Sequence, residues 1–180
     1  MEFFLNLDRF EINNMWSKIY QYVVQESQYS FNTLTFSHAQ KSENLMLNRY
    51  KDILPYDCTR VQLIDSNPEA TDYINASYVH IPDSIKVYIA CQNPLSITVH
   101  HFWQMIWEQN CSIIVMLNKI YERYDTFKYW PSDINQPIQY HSYQITMISE
   151  NIFDTYSCRE IELKKSENED FSSAPSKIIY

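Results

Sequence analysis

Four cysteines, at positions 58, 91, 111 and 158, are the strongest nucleophiles in this 180-residue chain. A thiol does chemistry as an activated thiolate, as half of a disulfide, or as a metal ligand. No two of them form a Cys-x-x-Cys pair, and none has metal-ligand spacing to any of the five histidines. No metal and no other cofactor is therefore expected. All four lie inside apolar segments, the setting of buried free thiols in a reducing compartment, although four cysteines also suffice for two disulfides.

A second compositional fact narrows the chemistry further. The chain has no glycine, where about 13 would be usual at this length. Walker-type phosphate loops, dinucleotide fingerprints, kinase glycine loops and the Gly-x-Ser-x-Gly elbow need positions without a Cβ, so none can exist here in standard form. The length suits one domain with a sizeable core. An apolar content of 45 % and an aromatic content of 16 % exclude a disordered chain. The net charge of −8 leaves no basic face for a phosphate backbone, so no nucleic-acid partner is expected.

The N-terminus, Met1 to Asp8, has neither a basic region nor an apolar stretch of signal-peptide length. The longest purely aliphatic run, Ile113 to Leu117, is too short to span a bilayer. These features lead us to expect a soluble, cytoplasmic protein with no membrane partner.

Periodicity places the elements that would position any site. Apolar residues at Ile12, Trp16, Ile19, Tyr20, Val23 and Val24 predict an amphipathic helix over about 8–28, behind an Asp8 cap. Ser27 to Asn44 is polar and reads as an extended connection. Strands are predicted at Val61–Ile64, Tyr73–Ile81 and Lys86–Cys91, with Pro82-Asp83-Ser84 as the last turn. Thr98 caps a second helix to Gln109, whose Phe102, Met105, Ile106 and Gln109 share a stripe. Ser112–Leu117 reads as a buried strand. Further strands are predicted at Lys128–Trp130, Ile138–Ile148 and Tyr156–Leu163, the last two separated by Ser149-Glu150-Asn151. Lys164–Pro175 reads as a loop, and Lys177–Tyr180 as the start of another strand. Strands and helices in this order suggest an α+β or mixed α/β domain.

Six segments, in order from about residue 15 onward, resemble the catalytic domain of non-receptor protein-tyrosine phosphatases. Asn48-Arg49-Tyr50-Lys51-Asp52-Ile53-Leu54-Pro55-Tyr56-Asp57 is similar to the family's phosphotyrosine-recognition loop. Asp72 to Ser77 and Tyr88 to Leu95 resemble two core strand motifs, and Thr98 to Glu108 resembles the helix after them. Ile114 to Leu117 and Tyr129-Trp130-Pro131 match the next strand and its partner. Within the family, the chain is similar to the tyrosine-phosphatase-like proteins of polydnaviruses carried by parasitoid wasps. That finer likeness rests on the lack of regulatory domains and on the polar N-terminal extension.

The resemblance implies a highly twisted mixed sheet flanked by helices, present as an incomplete phosphatase domain over 1–180 with its core at about 45–163. It also implies a chemistry. A cysteine in His-Cys-x-x-Gly-x-x-Arg attacks phosphorus, while backbone amides and the arginine hold the phosphate. An aspartic acid in a mobile Trp-Pro-Asp loop protonates the leaving oxygen. Neither part is found. Six residues after Cys58, Cys91, Cys111 and Cys158 stand Ile64, Ile97, Leu117 and Lys164, none of them arginine. Trp130-Pro131-Ser132-Asp133 mimics the acid loop, but it matches the earlier Tyr-Trp-Pro strand end, where tryptophan is packing. The acid loop of the family would follow the strand beginning at Lys177.

By resemblance, a vestigial substrate loop remains. Tyr50 would lie against a phosphotyrosine ring and Asp52 would accept hydrogen bonds from a bound peptide; the alternative is that Tyr50 packs in a turn and Asp52 caps it. Asn48 and Arg49 would hold the loop. Glu122 matches a family glutamate that pairs with the loop arginine. Asn93 and Tyr124 stand at family glycine sites, and Asn93 is tolerable because asparagine enters left-handed φ readily.

The resulting expectation is a catalytically inactive phosphatase-like protein that works by contact with a protein partner, a host signalling protein if the chain is viral. Two alternatives stay open: a non-functional remnant, and residual phosphotyrosine hydrolysis. Apolar strand faces without their family covering would be exposed, and a homodimer is one way to cover them.

Overall fold

A computed structural model of the protein describes residues 15–30, 34–64, 71–118, 120, 127–166, 171 and 174–180. The predicted Asp8 cap, Ile12, Glu122 and Tyr124 lie outside these residues. The chain divides into two compact units, Met1–Thr35 and Phe36–Tyr180.

In the first unit, helix α1 spans Met15–Ser30. It runs past the predicted end at Gln28, since neither glycine nor proline interrupts the sequence there. Its apolar residues, Trp16, Ile19, Val23 and Val24 among them, are exposed.

The second unit is an α+β fold. Tight turns over 37–44, rather than the predicted extended connection, lead into a 3-10 turn at Leu45–Leu47. Strands β1 (Arg60–Gln62), β2 (Tyr73–His80) and β3 (Val87–Cys91) form an antiparallel sheet in that order. Helix α2 (Val99–Glu108) follows. A second sheet has the order β4 (Ile138–Tyr140), β5 (Tyr143–Ile152), β6 (Ser157–Lys165) and β7 (Ser176–Ile179), every pair antiparallel.

One core joins both sheets to α2. Phe102, Trp103, Met105 and Ile106 of α2 pack with Val61 and Ile74 of the first sheet and with Ile145, Met147, Ile161, Leu163 and Ile179 of the second. The β5–β6–β7 register sets this up: Ile145 opposes Leu163, Met147 opposes Ile161, and Ile161 opposes Ile179, so one face is apolar throughout. Trp103 is fully buried, and its indole N–H donates to the Tyr129 carbonyl at 3.1 Å. Such an aromatic side chain is worth about 3–5 kcal/mol against truncation to alanine.

Several predicted elements differ. The single strand over 138–148 is a hairpin, β4 to β5, turning at His141 with φ of 50°. Ser149-Glu150-Asn151 is not a turn; it lies within β5, beside an irregularity between Met147 and Ser149. The chain reverses instead where the rings of Phe153 and Tyr156 stack at 4.7 Å. Lys128–Trp130 is irregular, though Tyr129 and Trp130 are buried. Thr98 precedes α2 as predicted, but its hydroxyl accepts the Leu95 amide instead of capping the helix.

The predicted buried strand at Ser112–Leu117 is the largest departure. Its backbone contact is to Tyr180: the Tyr180 amide donates to the Ser112 carbonyl at 2.9 Å and the Ile114 amide donates to the Tyr180 carbonyl at 2.7 Å. Ile114 and Met116 pack on the core, while Ile113, Val115 and Leu117 are exposed. The thiols differ from expectation in burial, not in being free. Cys58 and Cys91 are exposed, Cys111 and Cys158 half-buried, and all four are free.

Candidate functional site

The loop after the 3-10 turn is held from below by asparagine side chains. Asn44, buried, donates to the His38 carbonyl at 2.8 Å and accepts the Thr71 hydroxyl at 2.8 Å. Asn48 donates to the Ala39 and Asn44 carbonyls at 3.2 and 3.1 Å. Its amide oxygen accepts both the Tyr73 hydroxyl at 2.6 Å and the Asn75 amide at 2.9 Å. Four bonds leave this side chain well satisfied, so losing it would strand groups in β2.

Arg49 fixes the loop from the side. Its Nε donates to the Asn93 carbonyl at 3.1 Å and its Nη2 to the Pro94 carbonyl at 3.0 Å. Gln92 clasps the backbone on either side of Asn48, accepting the Arg49 amide and donating to the Leu47 carbonyl, each at 2.8 Å. Asn48 and Arg49 are thus placed as supports of the loop.

Tyr50 and Asp52 stand on its crest. Tyr50 is 61 % exposed, and Asp52 is exposed as well. Met46 and Ile53 are exposed nearby in sequence, so the loop shows apolar side chains as well as a carboxylate. Asn75 reaches up to the Ile53 carbonyl at 2.8 Å and ties the far end of the loop to β2.

Asn93 does not use the left-handed backbone expected at a glycine site. Among the described residues, the positive-φ positions are Asp83, Asn110, Asn135 and His141. Asn93 contributes its carbonyl to Arg49 and its side-chain amide to the Phe127 carbonyl at 3.5 Å.

Two sets of side chains have the residue types of a nucleophile, the thiols and a Ser-His-Asp set. Burial pushes the Cys91 thiol up to about 11, with Cys111 adding to it. Cys91 is solvent-exposed as a residue, and that access limits how far crowding by neighbouring atoms can raise it. Burial also raises Cys111, with Lys177 partly opposing. Both shifts run opposite to that of an activated nucleophile. Ser37, His38 and Asp57 meet, but Asp57 takes the bonds: its carboxylate accepts the Ser37 hydroxyl and amide and the His38 amide, and pairs with His38 Nδ1 at 2.9 Å. A nucleophile requires its hydroxyl on the imidazole, so this set is a clamp on the turn. Asp133 sits in an exposed turn, while the buried Trp130 packs edge-on to Tyr129 and beneath Arg159 at 4.7 Å.

Gln92, Asn75 and Tyr73 were not singled out from sequence as parts of the loop. Their one signal was a polar or hydroxyl-bearing side chain inside a strand motif, which does not say where it points. Among the described residues, no group of three or more His, Cys, Asp or Glu is arranged to hold a metal, and no helix is long and apolar enough to cross a membrane.

The sequence profile described as Protein-tyrosine phosphatase matches residues 44–178. The chain is 40 % identical to the mouse (Mus musculus) receptor-type tyrosine-protein phosphatase-like N, over 76 % of this chain and 14 % of that protein. It is 44 % identical to mouse tyrosine-protein phosphatase non-receptor type 4, over 74 % of this chain and 15 % of that protein. With non-receptor type 13 of mouse the identity is 50 % over 52 % of this chain and 4 % of that protein. The chain therefore spans a small part of the length of these relatives. The matched segment begins at Asn44, contains the whole Asn48–Asp57 loop, and runs through both sheets into β7. This chain belongs to the protein-tyrosine phosphatase family.

Proposed function

We propose that this chain acts without hydrolysing phosphotyrosine, as an interaction protein that engages a signalling partner through its surface. One observation carries the reading: no cysteine among the four has an arginine six residues on, so no phosphate loop can form around any of them. The raised Cys91 and Cys111 thiols support it. So does the relative whose name calls it phosphatase-like.

Magnitudes argue against phosphotyrosine as the ligand. Charge-assisted bonds of a phosphate loop contribute about 1.5–3 kcal/mol each. Stacking on Tyr50 contributes about 0.5–1.5 kcal/mol and cannot replace several of them. The ligand is instead a protein surface that meets the crest of Tyr50 and Asp52. By its resemblance to polydnavirus proteins, the chain would do this in the cytoplasm of a host cell and interfere with signalling there.

The test is affinity capture from such cells with the wild-type chain, a Tyr50→Ala/Asp52→Ala double variant, and a scrambled control. The reading predicts a specific partner lost with the double variant. A partner retained by it, or none above the control, contradicts the reading.

A further inference from the structure

The β5–β6 ribbon outruns the rest of its sheet. β4 pairs with β5 over Tyr143–Ile145, and β7 pairs with β6 over Ile161–Lys164. Among the described residues, Ser149–Ile152 and Ser157–Glu160 therefore have only each other as ladder partners. Arg159 anchors the base of this arm: its guanidinium meets Glu150 at 2.6 Å and lies over the Trp130 ring at 4.7 Å. From Asn151 to Ser157 every residue is exposed. The Phe153 amide donates to the Tyr156 carbonyl at 2.9 Å, and the two rings stack across the turn. A hydrogen bond and a ring contact in water are a small restraint, so the tip can be drawn out while the core stays packed.

A phenol that receives a phosphoryl group must bring its oxygen in line with the γ-phosphate of ATP, with the residues on either side laid out along the enzyme. Tyr156, 61 % exposed and immediately before β6, can do both. Other exposed tyrosines among the described residues are less free. Tyr20 and Tyr22 are wound into α1. Tyr88 lies within β3, paired with Val79 of β2. The Tyr180 backbone bonds to Ser112 and Ile114. Tyr50 sits on a loop fastened by Asn48, Arg49 and Gln92, and stands between two cations, Arg49 and Lys51.

The charge around Tyr156 has the opposite sign. Asp154 precedes it by two residues, and neither lysine nor arginine occurs from Tyr129 to Cys158. Arg159, the next cation, is engaged by Glu150. The tip is thus the electrostatic complement of a basic groove.

We propose that Tyr156 is a phosphorylation site, the acceptor for a tyrosine kinase with a basic substrate groove. The γ-phosphoryl group of ATP passes to the Tyr156 phenol oxygen: a P–O bond forms there, the bond to the ADP oxygen breaks, and the phenol proton goes to the base of the kinase. The phosphate adds a charge of about −1.5 to −2 close to Asp154, which makes the tip an acidic phosphotyrosine arm held clear of the core. The proposal does not rest on contacts made by the Asn48–Asp57 loop.

The experiment incubates the folded 180-residue chain with magnesium ATP and the catalytic domain of such a kinase, its activity confirmed on an acidic glutamate–tyrosine copolymer. Mass spectrometry of proteolytic peptides then maps the phosphate. We expect Tyr156 to carry most of it. Tyr156→Phe should cut incorporation by about fivefold or more, and Asp154→Asn should slow it by about two- to fivefold. Tyr50→Phe is expected to leave the rate unchanged. Thermal melts report whether each variant is folded. No incorporation, phosphate chiefly on another tyrosine, or incorporation that a folded Tyr156→Phe chain retains overturns the proposal. So does an Asp154→Asn chain phosphorylated at the wild-type rate.

Discussion

Asn75 donates its side-chain amide to the Asn48 amide oxygen at 2.9 Å, which fastens the Asn48–Asp57 loop to the middle of β2. The same oxygen takes the Tyr73 hydroxyl at 2.6 Å. Loop and sheet are thus one hydrogen-bonded unit.

Replacing Asn48 by alanine strands the Tyr73 hydroxyl and one Asn75 donor, both in buried residues. Each stranded group costs about 1–3 kcal/mol, so the substitution should lower stability by at least about 2 kcal/mol. Urea unfolding measures this as a fall in midpoint at unchanged slope.

Arg49→Lys keeps the charge and loses the fork that reaches Asn93 and Pro94 together. A lysine can serve one carbonyl at a time. The expected loss is about 1 kcal/mol, together with faster hydrogen exchange at the Arg49 amide that now meets Gln92.

Tyr50→Ala and Asp52→Ala remove side chains that are exposed. Each should leave the unfolding midpoint within about 0.5 kcal/mol of wild type. A larger loss in either variant would show that the crest is structural and would remove the ground for treating it as a contact surface.

Alkaline pH should unfold the protein in a defined window. Burial pushes the phenols of Tyr73 and Tyr129 up to about 12 from their ordinary value of 10.0. The folded state holds these protons more tightly than the unfolded chain does. Their stabilisation is complete below about pH 10 and is lost as pH rises toward about 12. Phenolate absorbance followed beside circular dichroism tests this: the last two tyrosines should ionise only as the fold is lost.

How much of this was legible in the sequence depended on how local the cause was. The α2 helix was readable because its apolar stripe repeats at helical spacing behind Thr98. The β2–β3 turn was readable because Pro82 and Asp83 announce it, and Asp83 indeed carries φ of 62°. The β4–β5 turn was not, because His141 takes the left-handed position that glycine usually marks. Among the described residues, Asp83, Asn110, Asn135 and His141 hold such positions in a chain that has no glycine. Ser149 to Asn151 looked like a turn by composition alone, yet cross-strand pairing with Glu160, Arg159 and Cys158 keeps them in β5. The exposure of Ile113, Val115 and Leu117 was hidden, since burial depends on what lies opposite a strand. The loop's residues were named from family resemblance. Their anchoring by Gln92 and Asn75, 43 and 27 residues away in sequence from Arg49 and Asn48, was not.

The central claim, that this chain works without phosphotyrosine hydrolysis, is tested most directly by turnover of a phosphotyrosine peptide at high enzyme concentration. The wild-type chain is compared with four single variants, Cys58→Ser, Cys91→Ser, Cys111→Ser and Cys158→Ser. The account predicts phosphate release at the buffer rate for all five proteins. Release above that rate by wild type, abolished in any one of the four variants, would contradict it.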